Sequence, residues 1–527
     1  MPASYHSHPI HLRLSRWLLA GVLAALAACG GGEGGSDTGS AQPRSSGLPP
    51  AADWVAGVFH PAGVYANLCA APRSGTHLYS GKPVPDQISR TLNENNWLRS
   101  WTNDNYLWYS EVVDRNPALY ATPDYFALLK TTALTPMGTS KDRFHFALPT
   151  DTWETLLQTG ESSGYGIQWT FLQSLSPREL VVAYTEPGSP AAAPGVDVAR
   201  GARVLMVNAI DLVNENDPER IDALNAALTP SVAGVNTQFT ILDAGATTPR
   251  TITLQSTHVT SEPVQNVKTF SGPNGRTVGY MQFNDHIAKA ELQLAQGIAK
   301  LRQEGATELV VDLRYNGGGL LSIASQLAYM IAGEKNTHTK VFERTIFNDK
   351  VKASGNLVSP IPFYAKGLGN SAPIDMPLPS LDLRRVYVLT GPDTCSASES
   401  IINGLRGIDI DVVQIGATTC GKPYGFYPTE NCGTTYFSVT FKGENAKGFS
   451  DYADGMSPTC AVPDDFEHAL GAPLEARMAA ALTHMANGTC PPAASAARGR
   501  SQASSLARTA PLLRKSEGLS NRILRAP

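Results

Sequence analysis

Two short stretches of this chain carry residue types that could do acyl chemistry. Gly391-Pro-Asp-Thr-Cys-Ser-Ala-Ser-Glu-Ser-Ile401 follows the strand-like run Arg-Arg-Val-Tyr-Val-Leu-Thr and leads into a helical pattern, which puts Ser396 between strand and helix. A serine there has two uses. It can cap the helix, with Glu399 three residues on as its capping-box partner. It can also be a nucleophile held over the strand ends, with the Ala397 N–H helping to bind an oxyanion. A nucleophile needs a base. His286, His468 and His484 sit in no evident strand-end turn, but Lys422 does, in Thr418-Thr419-Cys420-Gly421-Lys422. A lysine kept neutral by burial can serve as the base.

A third stretch, Val311-Asp-Leu-Arg-Tyr-Asn-Gly-Gly-Gly319, is a strand running into a glycine turn. Such a turn suits either a phosphate or an oxyanion, because glycine lets backbone N–H groups come close. No G-K-[ST] and no G-x-G-x-x-G accompanies it, and spacing alone weighs the two uses evenly. Asp312 and Arg314 are placed to pair and hold the turn.

These segments must be positioned by a layered fold. Residues 265–490 alternate strand and helix patterns, as a sheet with covering helices does, with ligand groups at the carboxyl ends of the strands. Residues 160–258 read as short strands of period two. Residues 51–150 hold helix-like patches, with Trp97, Trp101, Tyr106, Leu107, Trp108 and Tyr109 as core candidates. The formal net charge of -4 and the lack of a basic stripe in the body of the chain argue against nucleic acid as a partner.

Residues 1–28 combine Arg13 and Arg16 with a short apolar run, the pattern of an export signal and too short to span a membrane. Leu26-Ala27-Ala28-Cys29 resembles the lipobox of bacterial lipoproteins, which implies lipidation at Cys29 and membrane attachment through it. Gly30 in place of an inner-membrane retention aspartate points to the outer membrane. Residues 29–50 form a glycine- and serine-rich tether, and 491–527 a basic tail without a stable fold.

Six cysteines follow Cys29, an even count that permits disulfides in an exported chain. Cys395 and Cys420 flank the serine and lysine segments. A Cys395–Cys420 bond is expected to tie them, with Cys432–Cys460 and Cys69–Cys490 completing the set. No spacing suggests zinc, so no metal and no cofactor is expected.

Residues 160–258 resemble a PDZ domain of the bacterial kind. The resemblance rests on Gly164-Tyr165-Gly166-Ile167 as a peptide-carboxylate loop, on Gly188-Ser189-Pro190-Ala191, and on Gly201-Ala202-Arg203-Val204 ahead of Val207-Asn208-Ala209. It implies strand addition of a peptide to a sheet edge. From about 90 to 490 the chain resembles the C-terminal processing (tail-specific) serine peptidases. The matching runs are Asp312-Leu313-Arg314-Tyr315-Asn316-Gly317-Gly318-Gly319, Ser396-Ala397-Ser398-Glu399 and Gly421-Lys422, in that order.

The resemblance implies a multidomain α/β protein: an N-terminal helical domain, a PDZ-like β domain and a crotonase-like (ClpP/crotonase) core. It implies Ser396 as nucleophile and Lys422 as general base. Ala397 and a glycine of the pair Gly317 and Gly318 become oxyanion donors, and Ser398 and Glu399 supporting residues. Two positions depart from the family. The serine–lysine gap of 26 is one residue longer than usual, the extra residue being assigned to the Arg406–Asp411 loop. Phe426 stands where the family often carries a glutamine that orients the lysine, and Gln414 and Thr419 are candidates to replace it.

The expected function is a serine endopeptidase of the bacterial cell envelope, acting near the C-termini of peptide or protein substrates in the periplasm or at the cell surface. Its rivals are a catalytically inactive scaffold that binds envelope protein tails and a crotonase-like enzyme acting on a small thioester.

Overall fold

The run Leu309-Val310-Val311 lies at the centre of the core because both of its faces are covered. The computed structural model describes residues 54–354 and 360–492 and the backbone of 522–523. The expected signal segment, Cys29, the tether and nearly all of the basic tail lie outside the described residues. Every residue of the strand Glu308–Asp312 is buried. Successive side chains point to opposite faces. Leu309 and Val311 therefore pack beneath the helices Ala290–Gln303, Leu321–Ala332 and Ala397–Gly407, with Leu294, Ile298, Leu327, Ile331, Ile401 and Leu405. Val310 packs on the other side with Tyr387, Leu389, Met478 and Met485, under the helix Ala476–Asn487. Each such buried aliphatic side chain contributes about 2 kcal/mol.

This strand belongs to a six-stranded sheet ordered Val264–Ser271, Thr277–Phe283, Glu308–Asp312, Arg385–Thr390, Asp411–Gly416, Cys460–Ala461. The first pair is antiparallel and the rest are parallel. Parallel pairing brings the carboxyl ends at Asp312, Thr390 and Gly416 to one edge. The glycine turn, Ser396 and Lys422 all follow those ends, as the alternating pattern implies.

Residues 167–255 form a separate antiparallel sheet with Ile167–Gln173 at one edge and Arg250–Gln255 at the other. The helix Pro218–Leu228 starts where Asp217 accepts the Arg220 N–H at 3.0 Å, with proline at its first turn, and buries Ile221, Leu224 and Leu228. Trp169 Nε1 donates to Leu228 O at 3.3 Å, which joins the edge strand to the end of that helix.

In the N-terminal region, the helix Thr91–Asn105 spaces Trp97 and Trp101 four apart, so their rings stack at 5.3 Å and bury against Tyr436 of the core. The strand Phe146–Pro149 pairs antiparallel with Thr434–Phe437, and Thr434–Phe437 in turn with Thr429–Asn431. A further antiparallel sheet holds Val341–Phe347, Phe441–Glu444 and Tyr424–Gly425.

The crotonase-like (ClpP/crotonase) core implied by the family resemblance is corrected, to the fold of the peptidases compared below. Alternation registers the parallel sheet but carries no sign of two small antiparallel sheets, one of which takes a strand from residue 146 while the other carries the chain that follows Lys422. The pairings of Phe146–Pro149 with Thr434–Phe437 and of Val341–Phe347 with Phe441–Glu444 join segments far apart in sequence and leave no periodic trace in either partner.

Cys395–Cys420 is bonded as expected. The other two pairings are corrected to Cys69–Cys432 and Cys460–Cys490. Packing of Phe146–Pro149 on Thr434–Phe437 carries the turn holding Cys432 to the N-terminal region. Cys460, on the last strand of the large sheet, meets the chain just after the helix Ala476–Asn487.

Candidate active site

The glycine turn is fixed from both ends. Leu313 N–H donates to Leu389 O at 2.9 Å, and Thr394 Oγ1 donates to Leu313 O at 2.8 Å. Arg314 is buried and bonds Asp312 at 2.9 Å, Asp464 at 2.6 Å and Glu475 at 2.7 Å. Asp464 also bonds Arg200 at 2.7 Å and accepts the Tyr315 hydroxyl at 2.6 Å. Burial pushes the Asp464 carboxyl up, but Arg477, Arg314 and Arg200 together hold it well below the carboxylate range.

Asn316 binds the turn to the serine segment. Its backbone O accepts the Cys395 N–H at 3.0 Å and the Ser398 hydroxyl at 3.1 Å. Its Oδ1 accepts the Gly318 N–H at 2.9 Å and faces His286 Nδ1 at 3.0 Å, which makes Nδ1 the protonated nitrogen. Burial pushes His286 down to about 3, so this ring stays neutral. Gly318 has φ +97°, and a Cβ there would come within 2.8 Å of Ala397 N, Cys395 O and Ser396 Cβ. Only glycine lets the turn lie against the serine.

Ser396 is fully buried, with φ 61° and ψ -115°. A non-glycine residue in that region costs about 1–3 kcal/mol and is kept only where its surroundings enforce it. Ser396 N–H donates to Glu399 Oε2 at 2.9 Å, the carboxylate half of the expected capping box. Among the described residues Ser396 Oγ has no hydrogen-bond partner. Ala397 is the first helical residue, so its N–H has no acceptor within the helix.

Glu399 also accepts the N–H groups of Gly421 at 2.9 Å and Lys422 at 2.8 Å, and the Thr419 hydroxyl. Thr419 therefore serves Glu399. Gln414 donates to Met456 O at 2.8 Å. Lys422 is fully buried, and its Nζ lies over the rings of Phe426 at 4.1 Å and Phe144 at 4.8 Å. Burial pushes this lysine well below its ordinary value, against the opposing pull of Asp142 and Glu399. The sulfurs of Cys395 and Cys420 and the Glu399 carboxylate lie within 4.8 Å of one another, but the two cysteines are joined and offer no thiolate to a metal.

The structure thus gathers Asp312, Arg314, Gly317, Gly318, Ser396, Ala397, Ser398, Glu399 and Lys422 at one sheet edge. Gly164 ends the strand Glu161–Gly164, which pairs with Thr257–Thr260, and Tyr165 and Gly166 lead from it into Ile167, the first residue of the edge strand Ile167–Gln173. Tyr165 is turned inward, its hydroxyl bonding Thr237 Oγ1 at 2.6 Å and Ala227 O at 3.0 Å. Sequence reading set His286 aside and missed Asp142, Arg143 and Phe144. Their only signal is tertiary: His286 pairs its backbone with Gly318 and Leu320, and the other three reach the lysine from the loop before Phe146.

Residues 277–432 match the profile of peptidase family S41. The chain is 25% identical over 337 residues to a carboxyl-terminal-processing protease of a Picosynechococcus species, covering 64% of this chain and 69% of that one. It is 27% identical over 264 residues to the protease of the same name from a Synechocystis species, covering 50% of this chain and 54% of that relative. Among solved structures, a putative S41 protease from Bacteroides fragilis aligns with a TM-score of 0.56 at 25% identity, over 74% of this chain and 96% of that one. The chain is a homologue of the C-terminal-processing serine peptidases of family S41. Its core has the fold of those peptidases, which is the finding that replaces the crotonase-like expectation.

Proposed function

We propose that this protein is a serine endopeptidase that uses Ser396 and Lys422 to hydrolyse peptide bonds near protein C-termini. The observation that carries the proposal is the Ser396 hydroxyl. It stands at a helix start in a strained conformation, has no hydrogen-bond partner among the described residues, and its segment is tied through Glu399 to a buried lysine. Neutral Lys422 takes the Ser396 proton as Oγ attacks the scissile carbonyl. The oxyanion is received by the Ala397 N–H and one from the glycine turn. Gly317 can offer its N–H there, and Gly318 can do so once its bond to Asn316 Oδ1 is released. Lys422 then protonates the leaving amine. Water, giving a proton back through Lys422, hydrolyses the acyl-enzyme and restores Ser396.

Further parts of the proposal follow from the sequence. The β domain is a PDZ-like module that receives an extended peptide along Ile167–Gln173, with its end carboxylate at Gly164–Ile167. Lipidated Cys29 holds the protein at the cell envelope, in the outer membrane. The three disulfides suit an oxidising compartment of that kind.

The test compares wild type with Ser396→Ala on matched peptides carrying a free or an amidated C-terminus. The serine variant is expected to lose about three orders of magnitude in rate with its melting temperature unchanged. Full activity in Ser396→Ala would exclude the serine, and equal rates on both peptides would remove tail specificity.

A further inference from the structure

Lys422 has a long flexible side chain, and a base must present its nitrogen in one place. Two aromatic rings meet it. Phe426 comes from four residues further along the same chain, and Phe144 from the segment just before Phe146–Pro149. Both rings are themselves held. Phe426 is fully buried and set edge-on by Phe146 at 6.1 Å and Phe437 at 6.0 Å. The Phe144 N–H donates to Asp142 Oδ1 at 3.0 Å, and Asp142 Oδ2 accepts the Tyr106 hydroxyl at 2.6 Å. The Arg143 guanidinium lies 5.0 Å over the Phe144 ring and donates to the carbonyls of Cys420 and of Gly421. This locks the loop to the backbone of the lysine segment. Further out, Thr135 Oγ1 donates to Asp454 Oδ1 at 2.7 Å.

We propose that Phe144 and Phe426 are positioning residues for the peptidase reaction, holding Lys422 Nζ between two ring faces where it takes and returns the Ser396 proton. The inference rests on the serine–lysine reading of the site. A ring face attracts an ammonium through its quadrupole and retains an amine by packing. An aliphatic side chain of the same size would fill the space without the attraction. The rings thus favour the protonated lysine, while burial disfavours it. The charged and titratable groups facing the lysine are Asp142 and Arg143 on the loop and Glu399 on the helix, with Tyr424 two residues along the chain. Changing the Phe426 ring leaves these groups in place, whereas changing the Phe144 ring also weakens its hold on the Arg143 guanidinium, so the single Phe426 variant isolates the effect on the lysine.

The test replaces Phe144 and Phe426, singly and together, by mono- and trifluorinated phenylalanine, which weakens the quadrupole with little change in volume. Two quantities are read: kcat and KM against pH in the otherwise native protein, and the titration of Lys422 by NMR of 13C-labelled lysine in a Ser396→Ala background. Lys422→Met assigns the NMR signal. Progressive fluorination is expected to lower the Lys422 titration by up to about one pH unit. The acidic limb of kcat should move down with it. With both rings trifluorinated, kcat should fall about tenfold, with KM within about twofold. Phe144→Leu, at a partly buried position, should repeat the direction of these changes.

An unmoved Lys422 titration in the doubly fluorinated protein overturns the proposal. A moved titration with an unchanged kcat overturns the positioning role. Undiminished cleavage by Ser396→Ala would instead overturn the serine–lysine reading, and the reaction assigned to the rings with it. The NMR titration separates that failure from a failure of the ring contacts.

Discussion

Ser396 and Lys422 share one acceptor: the backbone N–H of each donates to Oε2 of Glu399, at 2.9 Å and 2.8 Å. A buried carboxylate thereby fixes the spacing of two segments that enter from different strands. Glu399→Gln would turn an amide NH2 group toward backbone donors. It is expected to cost about 3 kcal/mol of stability and to lower kcat by about tenfold or more. Burial pushes the Glu399 carboxyl up, against the pull of its donors. The folded protein therefore keeps this proton to higher pH than the unfolded chain. The group's contribution to stability is full below the ordinary carboxylate range and declines as pH rises through the folded value. Thermal unfolding across that range should show a negative slope in wild type that Glu399→Gln lacks.

Lys422 has the opposite sign. Its depressed value means that, between that value and the ordinary lysine range, the unfolded chain binds the proton and the folded protein does not. Stability therefore rises with pH across this window. Lys422→Met removes the cost of burying the amine. It should melt at or above the wild-type temperature at neutral pH while losing about three orders of magnitude in activity. Retained cleavage by Lys422→Met would remove the lysine from the mechanism.

The Cys395–Cys420 bond closes a loop that contains both Ser396 and the strand leading to Lys422, with a sequence separation of 25. The Cys395→Ser, Cys420→Ser double variant should lose about 3 kcal/mol in denaturant unfolding. It should also lose activity, because Cys420 N–H to Thr394 O, at 3.0 Å, is then left with less to hold the two segments in register. Peptide mapping without reductant should recover Cys69–Cys432 and Cys460–Cys490 beside it.

Gly318→Ala introduces a methyl group at φ +97° with backbone atoms 2.8 Å away. Either the turn or the start of the helix must move. We expect kcat to fall by about two orders of magnitude, with a smaller change in KM. A variant with wild-type kcat would show that the glycine turn does not contact the oxyanion.

Much of the architecture is legible before folding. Leu309-Val310-Val311 reads as a strand covered on both faces, and the helices Ala290–Gln303, Leu321–Ala332 and Ala397–Gly407 read from their apolar spacing. The strands around Thr434 and Phe441 do not, because each is short and takes a partner far back in the sequence, Phe146–Pro149 and Val341–Phe347. The pairing of Cys69 with Cys432 fails for the same reason, while that of Cys460 with Cys490 depends on how the helix Ala476–Asn487 returns the chain to the last strand of the large sheet. Six cysteines fix which bonds are possible, and only the approach of backbones selects among them.

By itself, the sequence determined the alternation of strands and helices in the large parallel sheet and the places of Ser396, Lys422 and the glycine turn at its strand ends. These are local matters, set by periodicity, turn chemistry and spacing. Only the tertiary structure decided what surrounds the lysine. Asp142, Arg143 and Phe144 come to it from nearly three hundred residues upstream, because Phe146–Pro149 pairs with Thr434–Phe437. Burial and charge at Lys422 Nζ depend on those neighbours, and no local pattern encodes them.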